Sequence, residues 1–69
     1  MAEPITAKQL GILQHIARNP GAPRAVLLSA MGASPADLKY LVEHDMIRER
    51  AADCFHVSHF GEMVLRRSL

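Results

Sequence analysis

Tryptophan is absent, and the chain holds one cysteine, one tyrosine and two phenylalanines. The lone Cys54 cannot close an internal disulfide, which excludes the stapled architecture of many small secreted domains and points to a reducing compartment. No apolar run approaches the roughly 20 residues needed to span a bilayer. The opening Met1-Ala2-Glu3-Pro4-Ile5-Thr6 has neither the basic nor the apolar region of a secretion signal. A cytoplasmic location without membrane contact is therefore expected. A large excess of one charge is also missing: eight Lys and Arg stand against seven Asp and Glu, for a formal net charge of +1. The four histidines add positive charge only towards acid pH.

What is present is the balance of a folded protein, 49% hydrophobic and 22% charged, with no repeat, low-complexity tract or flexible linker. The 69 residues read as a single domain over 1–69. A domain this short buries only about 60% of its unfolded surface, so a dimer would help to stabilise it.

Short turn signals divide the chain. Thr6 can cap a first helix, about Thr6 to Arg18, in which Leu10, Leu13, Ile16 and Ala17 recur at three- and four-residue spacing, until Asn19, Pro20, Gly21 and Pro23 stop it. A second, short helix opens at Pro23 or Arg24, offers Leu27, Leu28 and Met31 as an apolar stripe, and ends at Gly32, a residue that tolerates positive φ. Ser34 is a good cap for the third helix, Pro35 suits its first position, and Asp37 places negative charge at the positive end of the helix dipole. In that helix Leu38, Leu41 and Val42 line one side, and Ala36, Lys39, Tyr40 and Glu43 the other.

Met46 to Arg50 and Cys54 to Val57 can each alternate between two faces, with Ala51-Ala52-Asp53 as the turn of a hairpin. Strict alternation puts Glu49 on the core face with Ile47, so the first strand must be short or distorted; Phe55 and Val57 alternate more cleanly. Ser58 can cap a last helix carrying Phe60, Met63, Val64 and, at its end, Leu69, with Arg66 and Arg67 near the negative end of its dipole. The expected fold is mainly α with a small β-hairpin, an α+β domain in the order helix, helix, helix, strand, strand, helix.

The segment from Val26 to Met63 resembles the winged helix-turn-helix DNA-binding regulators of bacteria and their phages. Leu41-Val42-Glu43-His44-Asp45-Met46-Ile47-Arg48 is similar to that family's Leu-x-Glu-x-Gly-x-Ile-x junction, and Phe55-His56-Val57-Ser58-His59-Phe60-Gly61 to its Tyr-x-Leu-Thr-x-x-Gly exit. Asp45 stands where the family has glycine, and Asp enters the left-handed region more readily than most residues. The resemblance implies a sequence-specific, DNA-binding transcription regulator that acts by operator occupancy as a homodimer, with a recognition helix in the major groove and a hairpin wing on the backbone. By position, the DNA-contacting residues would be Ser34, Ala36, Lys39, Tyr40 and Glu43 on the helix and Arg48 and Arg50 on the wing. Ser34 would reach a phosphate, Lys39 a phosphate or guanine edge, and Tyr40 a phosphate or a thymine methyl, while Ala36 allows close approach.

Phosphate neutralisation supplies most sequence-independent affinity for DNA. Between Arg24 and Arg50, however, Arg24, Lys39, Arg48 and Arg50 are balanced by Asp37, Glu43, Asp45 and Glu49. That balance suits an alternative use of the fold as a protein-interaction module, an inhibitor or adaptor without DNA binding.

No enzyme, cofactor or metal site is expected. Cys54, His56 and His59 form the one cluster of metal-ligand type, but no second pair completes a tetrahedral site. A Cys-His pair on an exposed hairpin lacks an oxyanion hole and an orienting third group. Met1, Met31, Met46 and Met63 are spread out and read as core fillers. Ile12 falls off the apolar stripe of the first helix and, with Ile5 or Leu28, is a candidate for a dimer interface.

Overall fold

The computed structural model describes residues 5–30, 32–51 and 53–68. Helix α1 (Ala7–Arg18) begins at Thr6 with a capping box. The Thr6 hydroxyl accepts the Gln9 N–H at 3.0 Å and the Gln9 amide oxygen accepts the Thr6 N–H at 3.1 Å, satisfying two N–H groups that the helix leaves unpaired. Helix α3 (Pro35–Glu43) begins in the same manner, with Ser34 and Asp37 in the reciprocal roles and Pro35 at its first position.

Between them lie a two-residue strand β1 (Ala22–Pro23) and the short helix α2 (Arg24–Ser29). The chain leaves α2 through Gly32 at φ +67°, which lets the Ala33 N–H return to the Leu27 carbonyl at 3.1 Å. Leaving α3, Asp45 takes φ +59° and the Met46 N–H returns to the Leu41 carbonyl at 2.9 Å. Asp45 thus adopts the left-handed conformation expected of it as a stand-in for glycine. Strands β2 (Ile47–Arg50) and β3 (Cys54–Val57) form the hairpin, and α4 (His59–Ser68) follows. The described residues hold four helices and one antiparallel sheet of order β1-β3-β2, with Ile47 opposite Val57 and Arg50 opposite Cys54.

The third strand is a departure from the expected order. Ala22 pairs with Phe55 and Pro23 with Cys54, although Asn19-Pro20-Gly21-Ala22-Pro23 carries only turn signals. Pro23 cannot donate to a ladder and stands on an edge, where that loss is tolerated. Helix α2 is also shorter than expected, and its predicted end at Met31 lies outside the described residues.

Ile12, Leu13, Ile16, Leu27, Leu38, Leu41, Ile47 and Phe55 are fully buried. Ile12 is therefore a core residue rather than part of a dimer interface, and Ile5 and Leu28 pack against the same core. The buried stripe of α1 is Gln9, Ile12, Leu13 and Ile16, while Ala17 is exposed. It is displaced by one position from the predicted stripe because the Gln9 amide finds polar partners and can be buried. Val42, Phe60 and Met63, expected to fill the core, are 41%, 45% and 38% exposed. Met46 is buried as expected, while Met1, Met31 and Leu69 lie outside the described residues.

No helix among the described residues is long and apolar enough to cross a membrane.

Candidate nucleic-acid interface

Helix α3 buries Leu38 and Leu41 and leaves Ala36, Lys39 and Glu43 in solvent. Its start is fixed in place by more than its own cap. Asp37 Oδ2 accepts the Ser34 N–H and the Ser34 hydroxyl, each at 3.1 Å, and lies 3.4 Å from Lys8 Nζ. Asp37 Oδ1 lies 3.4 Å from Gln9 Nε2, so the two capping boxes, 28 residues apart, share a side-chain contact. The Ser34 N–H in particular, with help from its hydroxyl and from Lys8, holds the Asp37 carboxyl below the usual carboxylate range against the opposing effect of burial.

Ser34 is thus occupied in the cap, its hydroxyl both accepting and donating. Tyr40 is half-buried against the core, and its ring stacks on His44 at 4.0 Å between centroids. A second contact fixes His44, whose Nδ1 lies 2.9 Å from the Tyr40 carbonyl oxygen. Sequence reasoning missed His44; its spacing of four from Tyr40 on one helix face is the signal that could have found it.

The hairpin brings charges to the flank of α3. Arg24, at the first position of α2, donates to Asp53 Oδ1 and Glu49 Oε1 at 3.2 Å each, and its guanidinium carbon lies 5.0 Å from the centre of the Phe55 ring. Glu49 lies two residues along β2 from Ile47 and opposite the buried Phe55, yet it stays exposed, its carboxylate paired with Arg24. Arg48 pairs with Asp45 at 3.2 Å and Lys39 with Glu43 at 4.0 Å. Among the described residues Arg50 forms no ion pair. A groove of about 310 Å³ runs between α3 and the hairpin, floored by Leu38, Val42 and Phe55 and rimmed by Arg24, Lys39, Glu43 and Glu49.

No family model, curated protein or solved structure matches the chain.

Seven candidate residues thus lie on two neighbouring elements. Ala36, Lys39, Glu43, Arg48 and Arg50 are exposed, whereas Ser34 and Tyr40 are partly withdrawn by their local partners. Arg24, which sequence reasoning counted in the charge balance but did not place at the site, is the residue that ties α2 to the hairpin. Among the described residues no three His, Cys, Asp or Glu gather in a metal-holding group.

Proposed function

We propose that the chain is a winged helix-turn-helix domain that binds duplex DNA in the cytoplasm, as a transcription regulator acting by operator occupancy in homodimeric form. One observation carries this reading: α3 holds an open outer face of Ala36, Lys39 and Glu43 on a helix whose start contacts α1 through Asp37 and Gln9, and it packs on strand β2, where Arg48 and Arg50 are exposed. A fixed helix flanked by a ribbon that carries two exposed arginines can place side chains in the major groove while the arginines touch phosphates. The small side chain of Ala36 permits close approach, and Lys39 reaches outward. Two such surfaces in a dimer would offset the weak charge of each.

An amide chemical-shift titration with a short mixed-sequence duplex, at low and then higher salt, tests the reading. Salt-sensitive shifts concentrated on α3 and the hairpin are expected, because non-specific binding is mainly counterion release. Absence of shifts at about 0.1 to 1 mM protein would overturn it.

A second reading, a protein-docking module without DNA binding, is favoured by one observation of its own. Arg24 and Lys39, on the rim of a groove lined also by Leu38, Val42 and Phe55, are each already paired with carboxylates, and so is Arg48 nearby on the hairpin. A silent duplex titration would leave this reading standing.

A further inference from the structure

Helix α4 turns Gly61 inward and leaves another face open. Phe60 and Met63 are 45% and 38% exposed, Arg67 is exposed, and Val64, at the border of this face, is half-buried with part of its side chain packed against the chain's own core. Spaced i, i+3, i+4 and i+7, the four form one stripe along the helix. We propose that a second copy of the chain docks on this stripe, α4 against α4 and antiparallel, about a two-fold axis passing between Met63 and Val64. The proposal deepens the homodimer reading above and rests on it for its purpose, while the contact itself is argued from the stripe.

An axis at that point brings residues equidistant from it face to face. Met63 meets the partner's Val64, and Phe60 meets the partner's Arg67, each twice because a two-fold contact is isologous. A guanidinium over a ring face is attractive and strengthens as water is excluded. The chain already uses this pairing internally, between Arg24 and Phe55. A parallel arrangement would set Arg67 against the partner's Arg67 and leave the rings without cations, so the order of residues along the stripe selects the antiparallel one. Helix α4 packs mainly on α1 and β3.

Sedimentation of the full chain without DNA, over a wide concentration range up to about 1 mM, tests the proposal. Wild type is expected to show a monomer-dimer equilibrium. Phe60→Arg opposes two guanidinium groups and should weaken dimerisation at least about tenfold. Adding Arg67→Phe to Phe60→Arg restores a ring opposite each cation in reversed order and should recover the dimer. Both positions are exposed, so the fold should survive, and circular dichroism checks this. A wild type that stays monomeric, a dimer indifferent to Phe60→Arg, or a double variant that fails to recover would each overturn the proposal. The duplex titration is read separately: a monomer that binds DNA removes only this interface, and a dimer that ignores DNA removes only the DNA reading.

Discussion

Gly61 rests so closely on the main chain of Met46 that no Cβ fits between them. A methyl group there would overlap the Met46 carbonyl oxygen and lie 3.0 Å from the Met46 carbonyl carbon and 2.9 Å from Val57 Cγ1. The obstacle is largely backbone and cannot swing aside. This contact seats the first turn of α4 on the junction between α3 and β2.

Gly61→Ala is therefore expected to destabilise the protein by about 2 to 3 kcal/mol, as overpacking against an unyielding wall does. Gly11→Ala provides the opposite case, since a Cβ at Gly11 meets nothing within 4 Å inside helix α1. It should stabilise by about 0.5 to 1 kcal/mol through helix propensity alone. Urea unfolding midpoints that move in opposite directions would bear out both; a neutral Gly61→Ala would mean that α4 is not seated there.

Ser58 joins the same two segments with hydrogen bonds. Its N–H donates to the Met46 carbonyl at 3.0 Å, its hydroxyl donates to the Asp45 carbonyl, and that hydroxyl accepts the Gly61 N–H at 2.9 Å. Ser58→Ala removes both hydroxyl bonds and should cost about 1 to 2 kcal/mol. Ser58→Thr, which keeps the hydroxyl, should recover much of that loss in the same unfolding experiment.

Asp37 makes stability depend on acid. Its folded carboxyl lies below the ordinary value of 3.8, chiefly because the Ser34 N–H favours the charged form. The stabilisation is then complete above the unfolded value and is lost as pH falls through the lower folded value. Unfolding measured from neutrality to below pH 3.8 should show Asp37→Asn less stable than wild type at neutral pH, with a shallower loss in acid. Equal acid slopes in the two proteins would assign the loss to other carboxylates.

Asp45→Gly removes the carboxylate that holds Arg48 and installs the residue best suited to φ +59°. Under the proposed DNA reading, duplex affinity should rise about threefold to tenfold at low salt, and the salt dependence should steepen by about one phosphate contact. Fluorescence anisotropy across a salt series measures both. Unchanged binding in a protein that does bind duplex would place Arg48 away from the DNA.

Local chemistry made much of the fold legible. Thr6 and Ser34 cap their helices, Ser58 accepts the Gly61 N–H at the start of α4, and Asp45 enters the left-handed region, because each answers a demand of its own few residues. What escaped depends on distant partners. Strand β1 exists because β3 offers Phe55 and Cys54 to Ala22 and Pro23, which no local signal announces. Gln9 is buried because Asp37 meets it across 28 residues, and its burial shifts the stripe that left Ile12 outside. At the candidate interface, the exposure of Ala36, Lys39 and Glu43 on α3 was legible, whereas Val42 proved exposed and Tyr40 half-buried. The ion pairs of Arg24 with Glu49 and Asp53 were not legible, since they join residues 25 and 29 positions apart and follow from three-dimensional register.

Strand β3 lies at the centre of the sheet, hydrogen-bonded to β1 on one side and β2 on the other. The hairpin consequently cannot swing without breaking its pairing to the segment that leads into α2. In the proposed complex the backbone spacing between α3 and β2, which pack on each other, acts as a gauge, and the duplex must supply much of the adjustment. Flexible pyrimidine-purine steps would meet that gauge more cheaply than stiff A-tracts, so sequences could be ranked by their mechanics at base pairs the protein never touches.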